Sequence, residues 1–233
     1  MNYRPVTLLS TVDKVYEQVL SEQVYQHFDN VFDPSISAYR KMHSCETTII
    51  RLTEEWKLAM DNKQVVGILS TDMSKALDSL QPSLLINKLK AYGFSEQALY
   101  FMRSYFTNRQ NRVKLNSVVS ERKDMRRGCP QGSSLCPLLW DIFQNDSTYQ
   151  ITDANISMYA DDHQISVIAE SISQVEQTLR NEGVVISRWY NENYLKGNHK
   201  KYGAMILCIR DTEVAAINIK IDGENVESKP SLN

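Results

Sequence analysis

The fold of this 233-residue chain can be inferred from the stretch Ile156-Ser157-Met158-Tyr159-Ala160-Asp161-Asp162-His163-Gln164-Ile165. Apolar residues alternate with other residues on both sides of its two acids: Ile156, Met158 and Ala160 before them, and Ile165, Val167 and Ala169 after them. Alternation with a period of two around a short polar segment indicates a β-hairpin. The sequence therefore predicts two antiparallel strands with Asp161 and Asp162 at their turn.

A third acid follows another apolar segment. The run Val65–Leu69 is apolar and rich in β-branched residues, which predicts a buried strand, and Thr71-Asp72 comes at its end. A carboxylate in that position is held by the backbone at one edge of a sheet. If this strand lies beside the hairpin, Asp72 and Asp161 come together, although they are far apart in the sequence.

Carboxylates that lie close together repel one another unless a cation neutralises them. Mg²⁺ is the expected cation, with Mn²⁺ as an alternative, because Mg²⁺ prefers oxygen ligands and leaves coordination positions open for substrate phosphates. Two such ions about 3.5–4 Å apart activate an attacking hydroxyl and stabilise a leaving pyrophosphate. Taken alone, however, an Asp-Asp pair is more often a polar turn, and Asp72 is equally suited to capping a following helix.

The composition excludes few classes of function. A formal net charge of −2 argues mildly against a nucleic-acid partner, yet the stretch from Arg103 to Arg127 is clearly basic. It contains a predicted hairpin over 112–125 that turns at Asn116-Ser117. This hairpin suits phosphate contacts, and a solvated surface is the alternative. The four cysteines show no CxxC pair, and neither a signal-peptide core nor a membrane-length apolar run is present. The composition therefore predicts a soluble intracellular protein without a membrane partner.

Helical and strand patterns alternate along the chain, and the strands look antiparallel as often as not, so an α+β fold fits best. Helices are predicted over 12–28, 45–61, 82–93, 95–106, 133–144 and 171–190, and further strands over 112–115, 118–125, 205–209, 217–221 and 224–226.

Five short motifs occur in one order along the chain. They are Asn2-Tyr3-Arg4-Pro5-Val6-Thr7-Leu8-Leu9, Ala38-Tyr39-Arg40-Lys41-Met42-His43-Ser44, Asp72-Met73-Ser74-Lys75-Ala76-Leu77-Asp78, Arg127-Gly128-Cys129-Pro130-Gln131-Gly132-Ser133-Ser134-Leu135-Cys136-Pro137-Leu138-Leu139 and Tyr159-Ala160-Asp161-Asp162. In this order and spacing they resemble the motifs of non-LTR retrotransposon reverse transcriptases. The resemblance runs from Asn2 to about Met205.

The resemblance implies a right-hand polymerase fold with fingers and palm, in which an antiparallel palm sheet packs on helices and the thumb is missing. Partial fingers are expected over 1–66, and the palm over 67–210 with a fingers insertion near 82–127. Residues 211–233 are expected to begin a truncated connection to the thumb. The implied activity is template-directed DNA synthesis from deoxynucleoside triphosphates on an RNA template with a DNA primer. The sequence does not indicate the oligomeric state.

The resemblance also implies roles for individual residues. The catalytic acids are expected to be Asp72, Asp161 and Asp162. The metal ligands are expected to be Asp72, Asp161 and the Met73 carbonyl. Nucleotide contacts are expected from Leu77, Gln131, Gly132, Lys201, Arg4 and Lys14. Contacts with nucleic acid are expected from Arg40, Lys41, Arg112, Arg126 and Arg127.

Leu77 departs from the family pattern, because the family carries an aromatic side chain there that excludes a ribose 2′-hydroxyl. The departure predicts weaker discrimination against ribonucleotides, with a core substitution in a decayed copy as the alternative. Ser70-Thr71 are also more polar than the family's apolar pair. The competing function is a catalytically weak remnant that acts as a nucleic-acid-binding module. A nucleotide cyclase lacks the Tyr-Ala-Asp-Asp segment, and a two-metal nuclease leaves the Pro-Gln-Gly segment unexplained.

Overall fold

The computed structural model describes residues 7–209, 217–226 and 228. In chain order the elements are α1 (Thr11–Phe28), α2 (Cys45–Asp61), β1 (Val65–Asp72), α3 (Ala76–Ser79), α4 (Pro82–Ala91), α5 (Glu96–Phe106), β2 (Gln110–Asn111), β3 (Lys114–Leu115), β4 (Val118–Val119), β5 (Lys123–Asp124), α6 (Cys136–Gln144), β6 (Asn155–Tyr159), β7 (Asp162–Ala169), α7 (Ile172–Glu192), β8 (Gly203–Leu207), β9 (Ile219–Ile221) and β10 (Glu224–Val226). Two 3₁₀ helices span Asn145–Gln150 and His199–Lys201. Mixed helices and an antiparallel sheet are present, as the sequence predicts.

The chain divides into two compact units, each assembled from two separate segments. The first unit comprises Met1–Phe28 and Leu77–Phe143, and the second comprises Asp29–Ala76 and Gln144–Asn233. The predicted division into fingers over 1–66 and palm over 67–210 has other bounds and stays a prediction.

The second unit is built on a four-stranded sheet in the order β6-β7-β1-β8, in which every neighbouring pair is antiparallel. One face of β1 packs on α2, where Val66 and Ile68 contact Ala59 in a buried cluster. The opposite face packs on α7. There the backbone of Gly67 lies so close to the helix that an added Cβ would be 2.0 Å from Val175 Cγ1. Helices therefore cover both faces of the central strand.

Local sequence signals explain where the helices of this unit begin. The Ser44 side chain caps α2, and a reciprocal bond from the Thr47 side chain to the Ser44 backbone completes a capping box. The Ser171 side chain accepts from the backbone of Gln174 and caps α7. The short β9–β10 hairpin contacts α7, and it turns at Asp222-Gly223 as predicted.

Helices form most of the first unit. Helix α4 packs on α5, and an aromatic cluster of Phe28, Tyr92 and Phe94 joins the end of α1 to the turn between them. The predicted basic hairpin is present, with β3 paired to β4 around Asn116 and β2 paired to β5. All of its strand residues are exposed.

The apolar residues that recur at helical spacing in α1 do not form its buried face. Val15, Tyr16 and Val19 recur at helical spacing, yet each is more than half exposed. Val24 and Phe28 are buried instead, together with the acid Glu17. Helical spacing predicts an apolar stripe but does not show which neighbour covers it. Among the described residues, no helix combines the length and apolar character needed to cross a membrane.

The close approach of α7 to β1 yields a prediction about stability. The Gly67→Ala variant places a methyl group in the space that Val175 Cγ1 and Leu179 Cδ1 occupy. Overpacking of this kind costs about 1–3 kcal/mol of unfolding free energy, measurable by urea denaturation. The double variant Gly67→Ala, Val175→Ala should recover part of the loss, because it removes the nearest atom. If Gly67→Ala is as stable as the unchanged chain, the packing described is wrong.

Candidate active site

The turn between β6 and β7 carries the paired acids. Tyr159 and Asp162 form the last strand pair, so Ala160 and Asp161 are the two residues of a tight hairpin loop. Ala160 has φ +57, in the left-handed region that glycine usually occupies. Asp161 is half-buried and Asp162 is exposed. The backbone of the hairpin turn is therefore strained at Ala160, and the next residue, Asp161, is one of the candidate metal ligands.

The register of β1 against β7 brings the third acid to the same place. Asp72 is the last residue of β1, and its Cα partner is Asp162. Directly opposed residues of an antiparallel pair share one face, with Cβ atoms about 4.5–5.5 Å apart. The sequence led us to expect Asp72 beside Asp161. The structure pairs Asp72 with Asp162, and Asp161 is the loop residue immediately before Asp162.

Two side chains from the segment after α7 bind both oxygens of the Asp72 carboxylate. Lys201 Nζ lies 3.1 Å from Oδ1, and Asn198 Nδ2 donates to Oδ2 at 3.1 Å. The Asn198 backbone N–H also donates to the Asp72 carbonyl at 2.8 Å. The structure thus brings Lys201 to Asp72 across 129 positions of sequence. Sequence reasoning missed Asn198, whose one signal is that Gly197-Asn198 is a typical turn dipeptide.

The segment that carries Lys201 runs alongside the residues after β1. Met73 forms a bridge with Gly197, and the Ser74 N–H donates to the Lys196 carbonyl at 2.8 Å. A cavity of about 680 Å³ opens here, lined by Ser74, by residues 196–200 and by Glu224. The Met73 backbone therefore lies next to the candidate ligands, while its side chain is buried.

A buried polar layer lies behind the acids. Thr71 and His163 are directly opposed in the sheet, and the Tyr190 hydroxyl from α7 reaches both, at 2.7 Å from Thr71 Oγ1 and 3.0 Å from His163 Nδ1. The other ring nitrogen of His163 lies 3.1 Å from Gln144 Oε1. Burial lowers the pKa of His163 to about 3, so the ring is neutral near pH 7. Burial also raises the pKa of Tyr190.

The Pro-Gln-Gly segment lies in the first unit, where it is held in a defined loop. The Gln131 side chain donates to Asp78 Oδ1 at 2.8 Å, and its carbonyl accepts from the Thr7 N–H at 2.8 Å. Gly132 has φ +110, and an added Cβ would lie 3.0 Å from the Thr7 carbonyl oxygen, so glycine is required. The Leu77 carbonyl accepts from Cys129 N–H, which joins this loop to the segment after Asp72.

The next residues of this loop are fixed by a buried acid that sequence reasoning missed. Glu17 Oε1 accepts from the Tyr105 hydroxyl at 2.8 Å, and Oε2 accepts from the Ser134 N–H at 3.0 Å. Tyr105 also contacts Ser133 Oγ at 3.1 Å. Burial raises the pKa of Tyr105, so the hydroxyl remains a donor at neutral pH.

The predicted cationic residues differ in their surroundings. Exposed positions are occupied by Lys14, Lys41, Arg112, Arg126 and Arg127. The Arg40 guanidinium donates to the Asp33 and Ile36 carbonyls and lies over the Phe32 ring, so it supports its own loop. Arg4 lies outside the described residues. The roles assigned to these residues stay predictions.

The donor set matches the chemistry of a hard divalent cation. Asp72, Asp161, Asp162 and the Met73 carbonyl offer only oxygen, the ligand type that Mg²⁺ prefers. The Lys201 ammonium already places positive charge against Asp72. Within residues 7–209, 217–226 and 228, no group of three or more His, Cys, Asp or Glu side chains is arranged to hold a metal ion.

Comparisons with known proteins identify the family to which the chain is related. A family profile described as reverse transcriptase (RNA-dependent DNA polymerase) matches residues 1–224. A probable RNA-directed DNA polymerase from transposon BS of Drosophila melanogaster is 27% identical over 209 residues, covering 86% of this chain and 23% of that protein. The Pol polyprotein of the type-1 retrotransposable element R1 of Bradysia coprophila is 31% identical over 186 residues, covering 76% and 17%. The chain thus spans less than a quarter of the length of either relative.

Solved structures provide a comparison of the fold. Apo telomerase from Candida tropicalis, truncated from its C-terminal domain, superposes with a TM-score of 0.61. The match covers 92% of this chain and 44% of that one, at 14% sequence identity. At such low identity the likeness bears on the fold alone.

The left-handed backbone at the hairpin tip can be tested by substitution. The left-handed conformation costs an alanine about 1–2 kcal/mol, and Ala160→Gly relieves this cost. Glycine also has a greater conformational entropy in the unfolded chain, which offsets part of the gain. We therefore expect the unfolding free energy of Ala160→Gly to rise by about 1 kcal/mol. Ala160→Val should destabilise, because a β-branched residue fits this region worst. Urea denaturation measures both, and the reverse order would contradict the described turn.

Proposed function

Because this chain belongs to the reverse transcriptase (RNA-dependent DNA polymerase) family, we propose that it catalyses template-directed DNA synthesis by two-metal nucleotidyl transfer. The observation that carries the proposal is the register of β1 against β7. It sets Asp72 opposite Asp162 and places Asp161 in the adjoining loop. The substrates are deoxynucleoside triphosphates, an RNA template and a DNA primer.

The reaction joins the primer 3′-hydroxyl oxygen to the α-phosphorus of the incoming nucleotide and releases pyrophosphate. Asp72 and Asp161, with the Met73 carbonyl, would hold two Mg²⁺ ions, and Asp162 would be a secondary acid near the primer end. Bound divalent cations supply charge stabilisation for the attacking and leaving oxygens. The chain itself contributes a rigid strand edge that keeps the carboxylates in place before substrate binds.

Lys201 has a role on the leaving-group side. Its ammonium lies 3.1 Å from Asp72 Oδ1 and is 60% exposed, so it is both anchored and accessible. Because its side chain is largely exposed, the Lys201 ammonium could also bind an anion that lies next to Asp72. We assign it to neutralising or protonating the leaving pyrophosphate.

The first unit supplies the contacts with nucleotide and template. The Gln131-Gly132 loop, fixed by Asp78 and Thr7, offers backbone that a ligand can approach closely. Arg4 and Lys14 bind the triphosphate. The exposed basic residues bind nucleic-acid phosphates, which set position without reading sequence: Arg112, Arg126 and Arg127, with Arg40 and Lys41 of the second unit on the template.

A second candidate function is supported by the exposed basic hairpin of the first unit. The residues of its strands are all exposed, and phosphate binding there requires none of the carboxylates. A retroelement-derived module that binds nucleic acid without copying it would keep this surface and lose the reaction. Such a module binds a primer–template duplex with the same affinity whether or not Asp161 is intact, and it extends no primer.

Primer extension with variants of the acids tests the proposed activity. Asp161→Asn and Asp72→Asn each remove a metal ligand and should lower the rate by more than about a hundredfold, beyond the usual cost of changes outside the ligand shell. Asp61→Asn, at the exposed end of α2, is the matched control and should extend normally. Metal-dependent extension that survives Asp161→Asn would contradict the proposed site, and binding without extension in the unchanged chain would favour the second candidate.

Leu77 leads to a prediction about sugar selection. Leucine fills less space beneath the nucleotide sugar than an aromatic ring, so Leu77→Phe should reduce ribonucleotide incorporation relative to deoxynucleotide incorporation by about tenfold. The ratio of the two kcat/KM values measures this, and Leu77→Met, of similar volume, should leave the ratio unchanged. An unchanged ratio in Leu77→Phe would show that Leu77 does not contact the sugar.

A further inference from the structure

We propose that Thr71, Tyr190 and His163 form a positioning network that fixes the spacing of the carboxylates that bind the metal ions. The inference rests on the proposed function and adds residues to it. None of the three side chains is a metal ligand, and none contacts substrate. Their role is to hold the ends of two strands together at the point where the acids are attached.

The network lies entirely within the second unit and is fully enclosed. Thr71, Tyr190 and His163 are each no more than 1% exposed. Gln144 Oε1 lies 3.1 Å from Nε2 of the His163 ring, and the Tyr190 hydroxyl lies 3.0 Å from Nδ1 and 2.7 Å from Thr71 Oγ1. Thr71 Oγ1 also donates to the His163 carbonyl at 3.4 Å. One tyrosine hydroxyl thus connects β1, β7 and α7.

The sequence position of the network relates it to the acids. Thr71 immediately precedes Asp72, and His163 immediately follows Asp162. Thr71 and His163 are one paired step of the ladder, and Asp72 and Asp162 are the next and last step. Because side chains alternate along a strand, the network and the acids lie on opposite faces. A movement of either strand end at the network is therefore transmitted directly to a carboxylate.

Electrostatics explains why this step needs reinforcement. Like charges directly opposite each other in an antiparallel pair are destabilising, so Asp72 and Asp162 push the strand ends apart. Further along the same strand pair, Leu69 and Ile165 form a buried apolar step, and Ser166 is a buried polar residue opposite Ile68. Buried polar groups cost free energy unless they are hydrogen-bonded. The hydrogen bonds of Tyr190 to both strands lie at the step beside the acids, where a directional contact resists separation of the strand ends.

Substitutions of Thr71 separate positioning from packing. Thr71→Val keeps the shape and loses the hydroxyl, whereas Thr71→Ser keeps the hydroxyl and loses a methyl group. Binding of Mn²⁺ to the full chain without nucleic acid is followed by the electron paramagnetic resonance of free Mn²⁺. We expect Thr71→Val to weaken Mn²⁺ binding about tenfold, which is the lower end of the losses seen when a residue that supports metal ligands is changed. The Mn²⁺ affinity of Thr71→Ser should stay within about twofold of that of the unchanged chain. A packing role predicts the opposite order.

Two tyrosine variants provide a matched comparison. Tyr190→Phe removes the hydroxyl that joins the strands and should weaken Mn²⁺ binding as Thr71→Val does. Tyr202→Phe removes a hydroxyl that is equally buried but has no hydrogen-bond partner among the described residues, and should leave binding unchanged. Because Thr71 and Tyr190 act through one bond, the double variant should be no weaker than either single variant. Thermal unfolding shows whether each variant is folded. If Thr71→Val does not fold, the result for Tyr190→Phe decides whether the network positions the carboxylates.

The outcomes distinguish the network from the proposed function. Mn²⁺ binding that Asp72→Asn abolishes, but that Thr71→Val and Tyr190→Phe leave unchanged, overturns the network and keeps the metal site. Equal weakening by Tyr202→Phe also overturns it, because any buried hydroxyl would then have the same effect. If the unchanged chain shows no Asp72-dependent Mn²⁺ binding, the proposed function fails first, and the network has no metal site to position.

Discussion

The antiparallel pairing of β1 with β7 is the constraint on which the second unit depends. One register step determines that Asp72 is opposite Asp162 and that Thr71 is opposite His163. A slip of one residue would exchange the faces and turn the acids towards α7. Register is specified strongly when both faces of a strand are buried, and β1 is covered by α2 and α7. By packing on both faces of β1, the helices thus favour the one strand alignment in which Asp72 is opposite Asp162.

Two opposing requirements meet at the end of this strand pair. The register holds Asp72 opposite Asp162, and this closeness makes the two carboxylates repel. The Lys201 ammonium places positive charge on one side of Asp72, and the hydrogen-bonded layer around Tyr190 lies behind it. The two contributions differ in their exposure. The Lys201 side chain is 60% exposed, whereas the layer around Tyr190 is buried.

The strands, their turn and most helices could be predicted from the sequence because their signals are local. Alternation marks the hairpin around Asp161-Asp162, and serines mark the starts of α2 and α7. The buried face of α1 could not be predicted, since burial depends on neighbours that periodicity does not name. Asn198 and Tyr190 were missed for a related reason. Their partners Asp72 and Thr71 lie 126 and 119 positions away, and no local pattern encodes such a pair.

The central place of β1 in the sheet has a consequence for synthesis on the ribosome. Both of its neighbours, β7 and β8, come later in the chain, and His163, which pairs with Thr71, is made 92 residues after it. At translation speeds of about 5–20 residues per second, this apolar strand stays without partners for roughly 5–20 s. During that time its open edges can pair with other nascent chains. A chaperone that binds the nascent chain would therefore protect this strand, which carries Asp72, until its partners are made.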